Sequence, residues 1–310
     1  MVNRLIDRLS FLLFPGCCLI CQGDSDRSFD LCQPCQAELP WLIIACPRCA
    51  YPVEQAGQLC GQCLQKLPSF RHCVALCHYR APIDSLIGQF KYQQRHSYGR
   101  VMAALLSERL LQVYQCRPAQ DQLTDSHADQ HHSSHSALSL WRLIQGLPFQ
   151  CDPSCKGLAI SPANKSYTDN NQPPSLPLWP SSTYPQQKLM LPDVIVPVPM
   201  HWRRKLSRGF NHCEQLAEQL GQSLQLPVFK GLRRIRNSPP QQGLSAAQRH
   251  RNLQGAFALQ GKQSVEGLSI ALLDDVITTG STAEAISQLL LAAGARDVHI
   301  WSLARTPLHE

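Results

Sequence analysis

Apolar residues recur every three to four positions between Ile83 and Tyr114, at Leu86, Ile87, Phe90, Val101, Leu105, Leu106, Leu110 and Leu111. This periodicity predicts two helices with a break near Gly99. From Pro192 the pattern changes: Val194 to Pro199 and Leu268 to Leu273 are continuous apolar runs, the form taken by strands buried on both faces. Between them, Leu216, Leu220 and Leu224 mark one face of a helix over Cys213 to Leu224. After the second run a helix is expected from about Ser281 to Ala293, stopped by Gly294, followed by a strand from Val298 to Leu303. Alternating strands and helices predict an α/β fold with a mainly parallel sheet.

Two stretches depart from that pattern. From about Arg117 to Gln187 the chain is rich in Gln, Ser, Pro, Asn and His with few periodic apolar positions, which reads as a low-complexity, disordered insertion. Its His127, His131, His132 and His135 would have to be ordered, at an entropic cost, before they held a metal, and Cys151 and Cys155 carry no assignable role. At the other end, Arg4 and Arg8 precede the apolar stretch Leu9 to Ile20 much as in a secretory signal. Pro15 interrupts it and a cysteine array follows, so Leu5, Ile6, Leu9, Leu12 and Leu13 are read instead as an amphipathic helix covering the next domain. No run of 18 apolar residues exists, so no transmembrane helix is expected and a cytoplasmic location is. The resulting organisation is a helix at 1–16, a cysteine-rich module at 17–66, an α/β domain formed by 67–116 and 188–310, and the insertion at 117–187.

Composition adds one decisive feature. With 310 residues and 44% hydrophobic content the chain can build about two packed domains. A net charge of +7 permits phosphate contacts but is small beside that of a histone-like binder. Fifteen cysteines, however, are far more than packing requires. Four Cys-x-x-Cys pairs, Cys18/Cys21, Cys32/Cys35, Cys46/Cys49 and Cys60/Cys63, repeat as a unit with a 28-residue offset. Two such knuckles supply four sulfurs about 2.3 Å from one ion, the tetrahedral shell that zinc prefers. Each repeat therefore carries ligands for one closed, structural Zn2+ site, two in all; an interleaved pairing would use the same eight residues. A disulfide framework would need an oxidising compartment, and an odd cysteine total leaves one thiol over. Cys17 adjoins a ligand and competes with Cys18 in register, whereas Cys73, Cys77 and Cys213 read as small buried core residues.

The chemistry-bearing segment runs from Ile270 to Thr282. An apolar strand delivers Asp274 and Asp275 to its carboxyl end, and Thr278, Thr279, Gly280, Ser281 and Thr282 then open a helix. Ligands bind at this place in α/β sheets. Backbone N–H groups, hydroxyls and the helix N-terminus suit an anion, while the two carboxylates suit sugar hydroxyls or a Mg2+ ion; the combination describes a sugar 5'-phosphate. Two basic stretches fit an anionic leaving group: Arg203, Arg204, Lys205 and Arg208 after the Val196 to Pro199 strand, and Arg233, Arg234, Arg236, Arg249 and Arg251 further on. Arginine pairs bidentately with phosphate oxygens and compensates the charge of departing pyrophosphate.

Leu272 to Thr282 resembles the 5-phosphoribosyl-1-pyrophosphate (PRPP) motif of type I phosphoribosyltransferases. That resemblance implies Asp274 and Asp275 on the ribose hydroxyls, Thr278, Thr279, Gly280, Ser281 and Thr282 around the 5'-phosphate, and Mg2+ arriving with PRPP. Together with the doubled cysteine repeat, Phe90-Lys91-Tyr92 and Arg208-Gly209-Phe210-Asn211, the chain resembles the ComF/GntX family over nearly its whole length apart from the insertion. The family combines a double zinc ribbon with a type I phosphoribosyltransferase-like domain and is associated with natural competence and the use of external DNA. The resemblance implies DNA-uptake proteins and single-stranded DNA as partners, with Phe210, Tyr92 or Trp202 available to stack on bases. Two other functions remain open: phosphoribosyl transfer to an unidentified base or amine, and non-catalytic PRPP sensing. Glutamine-dependent amination is not expected, because the chain opens Met1-Val2-Asn3 and runs into ribbons where amidophosphoribosyltransferases carry a nucleophilic cysteine in a glutaminase domain.

Overall fold

The computed structural model describes residues 16–25, 30–93, 96–114, 189–201, 209–236, 253, 255–261 and 264–307. The segment expected to form an N-terminal helix (up to residue 15), the insertion and the basic residues Arg203, Arg204, Lys205, Arg208, Arg249 and Arg251 lie outside them.

The cysteine-rich segment is a duplication in three dimensions as well as in sequence. Helices α1 (Gln33–Ala37) and α2 (Gly61–Gln65) occupy equivalent places, each following a ligand cysteine. The knuckles match bond for bond: Cys18 N–H donates to Gly23 O at 2.8 Å, and Cys46 N–H donates to Tyr51 O at 2.7 Å. Gln22 and Ala50, at equivalent places in the two knuckles, both take the left-handed conformation, with φ of 61° and 55°. The tight turn there outweighs the usual penalty for a residue with a Cβ.

A sheet of four parallel strands follows, in the order β1 (His72–His78), β6 (Asp297–Arg305), β5 (Ser269–Ile277) and β2 (Val194–Pro197). Strands β1, β5 and β6 are buried over most of their length, in keeping with apolar runs that do not alternate. Around the sheet lie α3 (Ile83–Gln93), α4 (His96–Val113), α5 (His212–Leu224) and α6 (Ser281–Ala292). A short antiparallel pair, β3 (Leu232–Arg234) with β4 (Phe257–Leu259), carries part of the arginine-rich stretch. Mixed α/β architecture with a mainly parallel sheet is thus as expected.

Two local readings change. The break between α3 and α4 falls after Gln93, and Gly99 lies inside α4, where a Cβ would meet the Phe90 ring at 2.8 Å. Gly99 is a close-approach residue rather than a helix breaker. Strand β5 runs on to Ile277, so the acidic pair belongs to its second half and is held by the ladder to β6. Cys73, Cys77 and Cys213 are all buried, as expected, and Cys213 in addition lies against the acidic pair, its Sγ 4.0 Å from Asp274 Oδ1.

At the amino end of the sheet the core carries a polar cluster. Tyr114, the residue after α4, accepts a hydrogen bond from Trp301 Nε1–H at 3.0 Å and places its hydroxyl 2.9 Å from His72 Nε2 and 2.8 Å from His299 Nδ1. Burial holds His72 well below the ordinary histidine value, which keeps it a neutral partner in this network.

Candidate functional site

Each cysteine repeat closes on itself. The sulfurs of Cys18, Cys21, Cys32 and Cys35 lie within 4.8 Å of one another, as do those of Cys46, Cys49, Cys60 and Cys63, so the local pairing holds and the interleaved one does not. Cys21 Sγ is 3.8 Å from Cys32 Sγ, and Cys49 Sγ is 3.4 Å from Cys60 Sγ. A tetrahedron with bonds of about 2.3 Å has edges of about 3.8 Å, so the spacing fits Zn2+ and is far too long for a disulfide. Burial opposes ionisation of Cys18, but hydrogen bonds from the backbone of Cys32, Cys21 and Ile20 bring its thiol down to about 6. At Cys49, the side-chain hydrogen bond with Cys46 dominates and pushes the thiol up to about 12. One thiolate in each group thus suppresses the next until a divalent cation neutralises them. With four sulfurs and no open position, both centres are structural.

The second candidate site lies at the carboxyl end of β5. Asp275 is buried, and its Oδ2 faces Lys91 Nζ of α3 at 2.5 Å and His212 Nε2 of α5 at 2.9 Å. Its Oδ1 accepts from Val276 N–H at 2.7 Å. Burial works to raise the Asp275 carboxyl, but the hydrogen bonds and charge of His212 and Lys91 outweigh it and hold the group well below the usual carboxylate range. Asp274 keeps part of its surface open, and its Oδ1 accepts from Asp275 N–H at 2.9 Å. Loss of water and then the charge of Asp275 push its carboxyl well up. The pair is therefore split: one acid is ionised and clamped, the other resists ionisation. His212 Nδ1 is buried without a hydrogen-bond partner among the described residues. His212, Cys213 and Asp275 also bring three donor atoms within 4.8 Å, but the Lys91 ammonium already supplies the positive charge there.

Beyond the acids, β5 gives way to the turn Thr278, Thr279, Gly280, Ser281 and Thr282. Thr278 is exposed and the other four are half-buried. Thr279 Oγ1 and Ser281 Oγ lie 2.8 Å apart, and Gly280 has φ of 77°. A Cβ built on Gly280 meets nothing within 4 Å, so the turn faces open space at the N-terminus of α6. The chain thus brings all seven expected binding residues to one end of the sheet, while the six basic residues named for pyrophosphate lie outside the described residues.

Other motif residues have local tasks. Asn211 caps α5 by accepting from Cys213 N–H at 3.1 Å, and Gly209 before it has φ of 82°. Phe210 packs edge-on against Phe90 with ring centroids 6.5 Å apart, whereas Tyr92 is 69% exposed. No spacing in the sequence marks Lys91 or His212 as partners of the acids. The one clue is that two buried carboxylates need a cation, and Phe90-Lys91-Tyr92 supplies one.

Known proteins resemble this chain over nearly its whole length. The double zinc ribbon domain family matches residues 9–69. "DNA utilization protein YhgH" of Salmonella typhi is 29% identical over 300 residues, covering 95% of this chain and 99% of that one. "Competence protein F" of Haemophilus influenzae is 28% identical over 291 residues, covering 93% and 96%. The chain is thus similar to proteins named for competence and DNA utilization. "Competence protein ComFC" of Bacillus subtilis shares 31% identity over 127 residues, 41% of this chain and 48% of its own length. A glutamine PRPP amidotransferase from B. subtilis superposes over 38% of this chain and 23% of that one at 24% identity, with a TM-score of 0.26, an overlap too slight to inform the chemistry. Among the described residues no helix is long and apolar enough to cross a membrane.

Proposed function

We propose that this chain binds PRPP or another ribose 5-phosphate ester and acts in the cytoplasm in DNA uptake or the use of external DNA. The observation that carries the reading is the continuity of β5 into the phosphate turn: a split acid pair, a left-handed Gly280 and the start of α6 share one end of a parallel sheet. Successive N–H groups of the turn receive the 5'-phosphate, with Thr278, Thr279, Ser281 and Thr282 adding hydroxyls. Asp274 and Asp275 receive the ribose hydroxyls. Mg2+ enters with the pyrophosphate and adds positive charge beside the acids. Arg203, Arg204, Lys205, Arg208, Arg249 and Arg251 compensate the pyrophosphate, and single-stranded DNA and DNA-uptake proteins are the partners.

Calorimetric titration of the zinc-loaded protein with PRPP and Mg2+ tests the pocket. Wild type binds; D274N/D275N weakens binding by about one to two decades for each charge-assisted hydrogen bond removed. Wild type that releases no heat and shows no protection by PRPP overturns the reading. Turnover of PRPP with candidate bases or amines then separates transfer from sensing, and salt-dependent binding of single strands tests the nucleic-acid partner.

A further inference from the structure

We propose that the second zinc ribbon, and not the first, is the support that holds the phosphate turn in its binding shape. The inference concerns regulation of the site just proposed and rests on that reading for its ligand consequences only.

The second ribbon reaches the turn from two sides. Beneath it lies Arg305, the last residue of β6 and 1% exposed. Its Nε donates to the carbonyl of Cys49, a zinc-site cysteine, at 3.1 Å. Its Nη1 faces the carbonyls of Ile277 at 3.1 Å, Thr306 at 2.9 Å and Thr278. The guanidinium lies over the Tyr51 ring, also in the second ribbon, 5.6 Å from its centroid. No carboxylate pairs with Arg305 among the described residues, so its buried charge is compensated by carbonyl dipoles and the Tyr51 ring. Removing the Cys49 carbonyl leaves the buried Nε–H of a charged group without its acceptor, which ties the Cys49 knuckle energetically to the strand end that opens the turn.

On the other side the path starts inside the same knuckle. Arg48, between Cys46 and Cys49, donates through Nη2 to Pro68 O at 3.0 Å and Phe70 O at 2.8 Å. The residue between those carbonyls, Ser69, donates its N–H and hydroxyl to the Glu284 carboxylate at 2.9 and 2.7 Å. Glu284 stands in the first turn of α6, four residues after Gly280, and its N–H donates to Gly280 O at 2.8 Å. The turn is thereby clamped at both ends by groups whose positions depend on the Cys46–Cys49 knuckle. The first ribbon instead meets α4 through Asp30 and Arg100 at 3.6 Å. Among the described residues no hydrogen bond or ion pair of 277–284 reaches it.

Two repeats with identical ligand spacing therefore differ in function. Hydrogen exchange on the full-length protein reads this without any ligand. C60S, which removes a ligand from the second centre, is expected to speed exchange of amides 277–284 by roughly tenfold or more, whereas C32S in the first changes it by less than about twofold. R305K, with both zinc ions retained by metal analysis, is expected to loosen the same amides and leave β1 unaffected. Equal effects of C60S and C32S on the turn overturn the proposal. Should C60S unfold the sheet as a whole, R305K decides, and zinc-replete R305K with wild-type exchange at 277–284 overturns it too. Ribose 5-phosphate affinity should follow exchange, falling in C60S and R305K and not in C32S. A wild type that fails to bind ribose 5-phosphate while the exchange asymmetry persists refutes the ligand reading and leaves the support role intact.

Discussion

Replacing the two acids one at a time should have opposite consequences for stability. In D275N the amide that takes the place of Oδ2 meets two donors, Lys91 Nζ and His212 Nε2, which lie 2.5 and 2.9 Å from that oxygen in the wild type. The Lys91 ammonium, with its side chain 22% exposed, is left without its partner. Breaking a buried pair from one side costs about 3–5 kcal/mol, and D275N is expected toward the lower end because Lys91 can turn partly to water. D274N keeps the oxygen that accepts Asp275 N–H and removes a carboxyl whose ionisation the folded state opposes, so it should be neutral or stabilising by up to about 1 kcal/mol. Urea unfolding of zinc-loaded protein at pH 7 measures both. The pH dependence follows from the signs. Asp275 is depressed in the folded state, so its contribution is complete above about pH 3.9 and is lost as pH falls through the folded value. Asp274 is raised, so the folded state loses stability as pH climbs from about 4 through the raised value, and the advantage of D274N should vanish toward pH 4. Acid release of zinc affects wild type and D274N alike and cancels in their difference. A D274N variant as destabilised as D275N, or a gap independent of pH, would refute the split-pair argument.

Metal analysis should return about two zinc equivalents per chain, and C49S should lose about one; a folded, metal-free ribbon segment would contradict the four-thiolate assignment. G280V should abolish PRPP binding although both acids remain, because φ of 77° strains a β-branched residue and its side chain fills the space open to the phosphate; unchanged titration heats would sink this. Deleting residues 120–185 should leave a cooperatively unfolding protein, since that polar composition buries little apolar area, and loss of the cooperative transition would show the segment to be structural.

Periodicity finds the elements where burial is two-sided and local. The β5 and β6 runs, the apolar face of α5 and the stop at Gly294, with φ of 90°, all follow from residues within one element. Gly99 misleads because glycine has two uses that look alike in sequence: it can break a helix or admit a neighbour. Only the position of Phe90 on the preceding helix distinguishes them. The pair β3 and β4 escapes the hydrophobic pattern for a related reason. Its strands are three residues each, too short to show a pattern, and β3 carries two arginines that read as part of a solvated basic face.

The site is legible in proportion to how local its parts are. The turn proposed for phosphate is five consecutive residues and the zinc centres are paired two-residue gaps, so each is complete within a short window. Lys91, His212 and Asp275 come from three separate elements, and the clamp exists only once α3 and α5 have packed at the carboxyl end of β5. Such pairings leave no spacing to read. What physical chemistry does supply is a demand: a carboxylate buried as deeply as Asp275 must find a cation or surrender its charge. Asp274 and Asp275 show both outcomes side by side, the second acid taking Lys91 and the first resisting ionisation. A ligand that offers hydroxyl donors to Asp274 relieves that resistance, because hydrogen bonds to the charged form favour it. The cost of charging Asp274 thus works in favour of a polyhydroxylated ligand and against one that offers only negative charge.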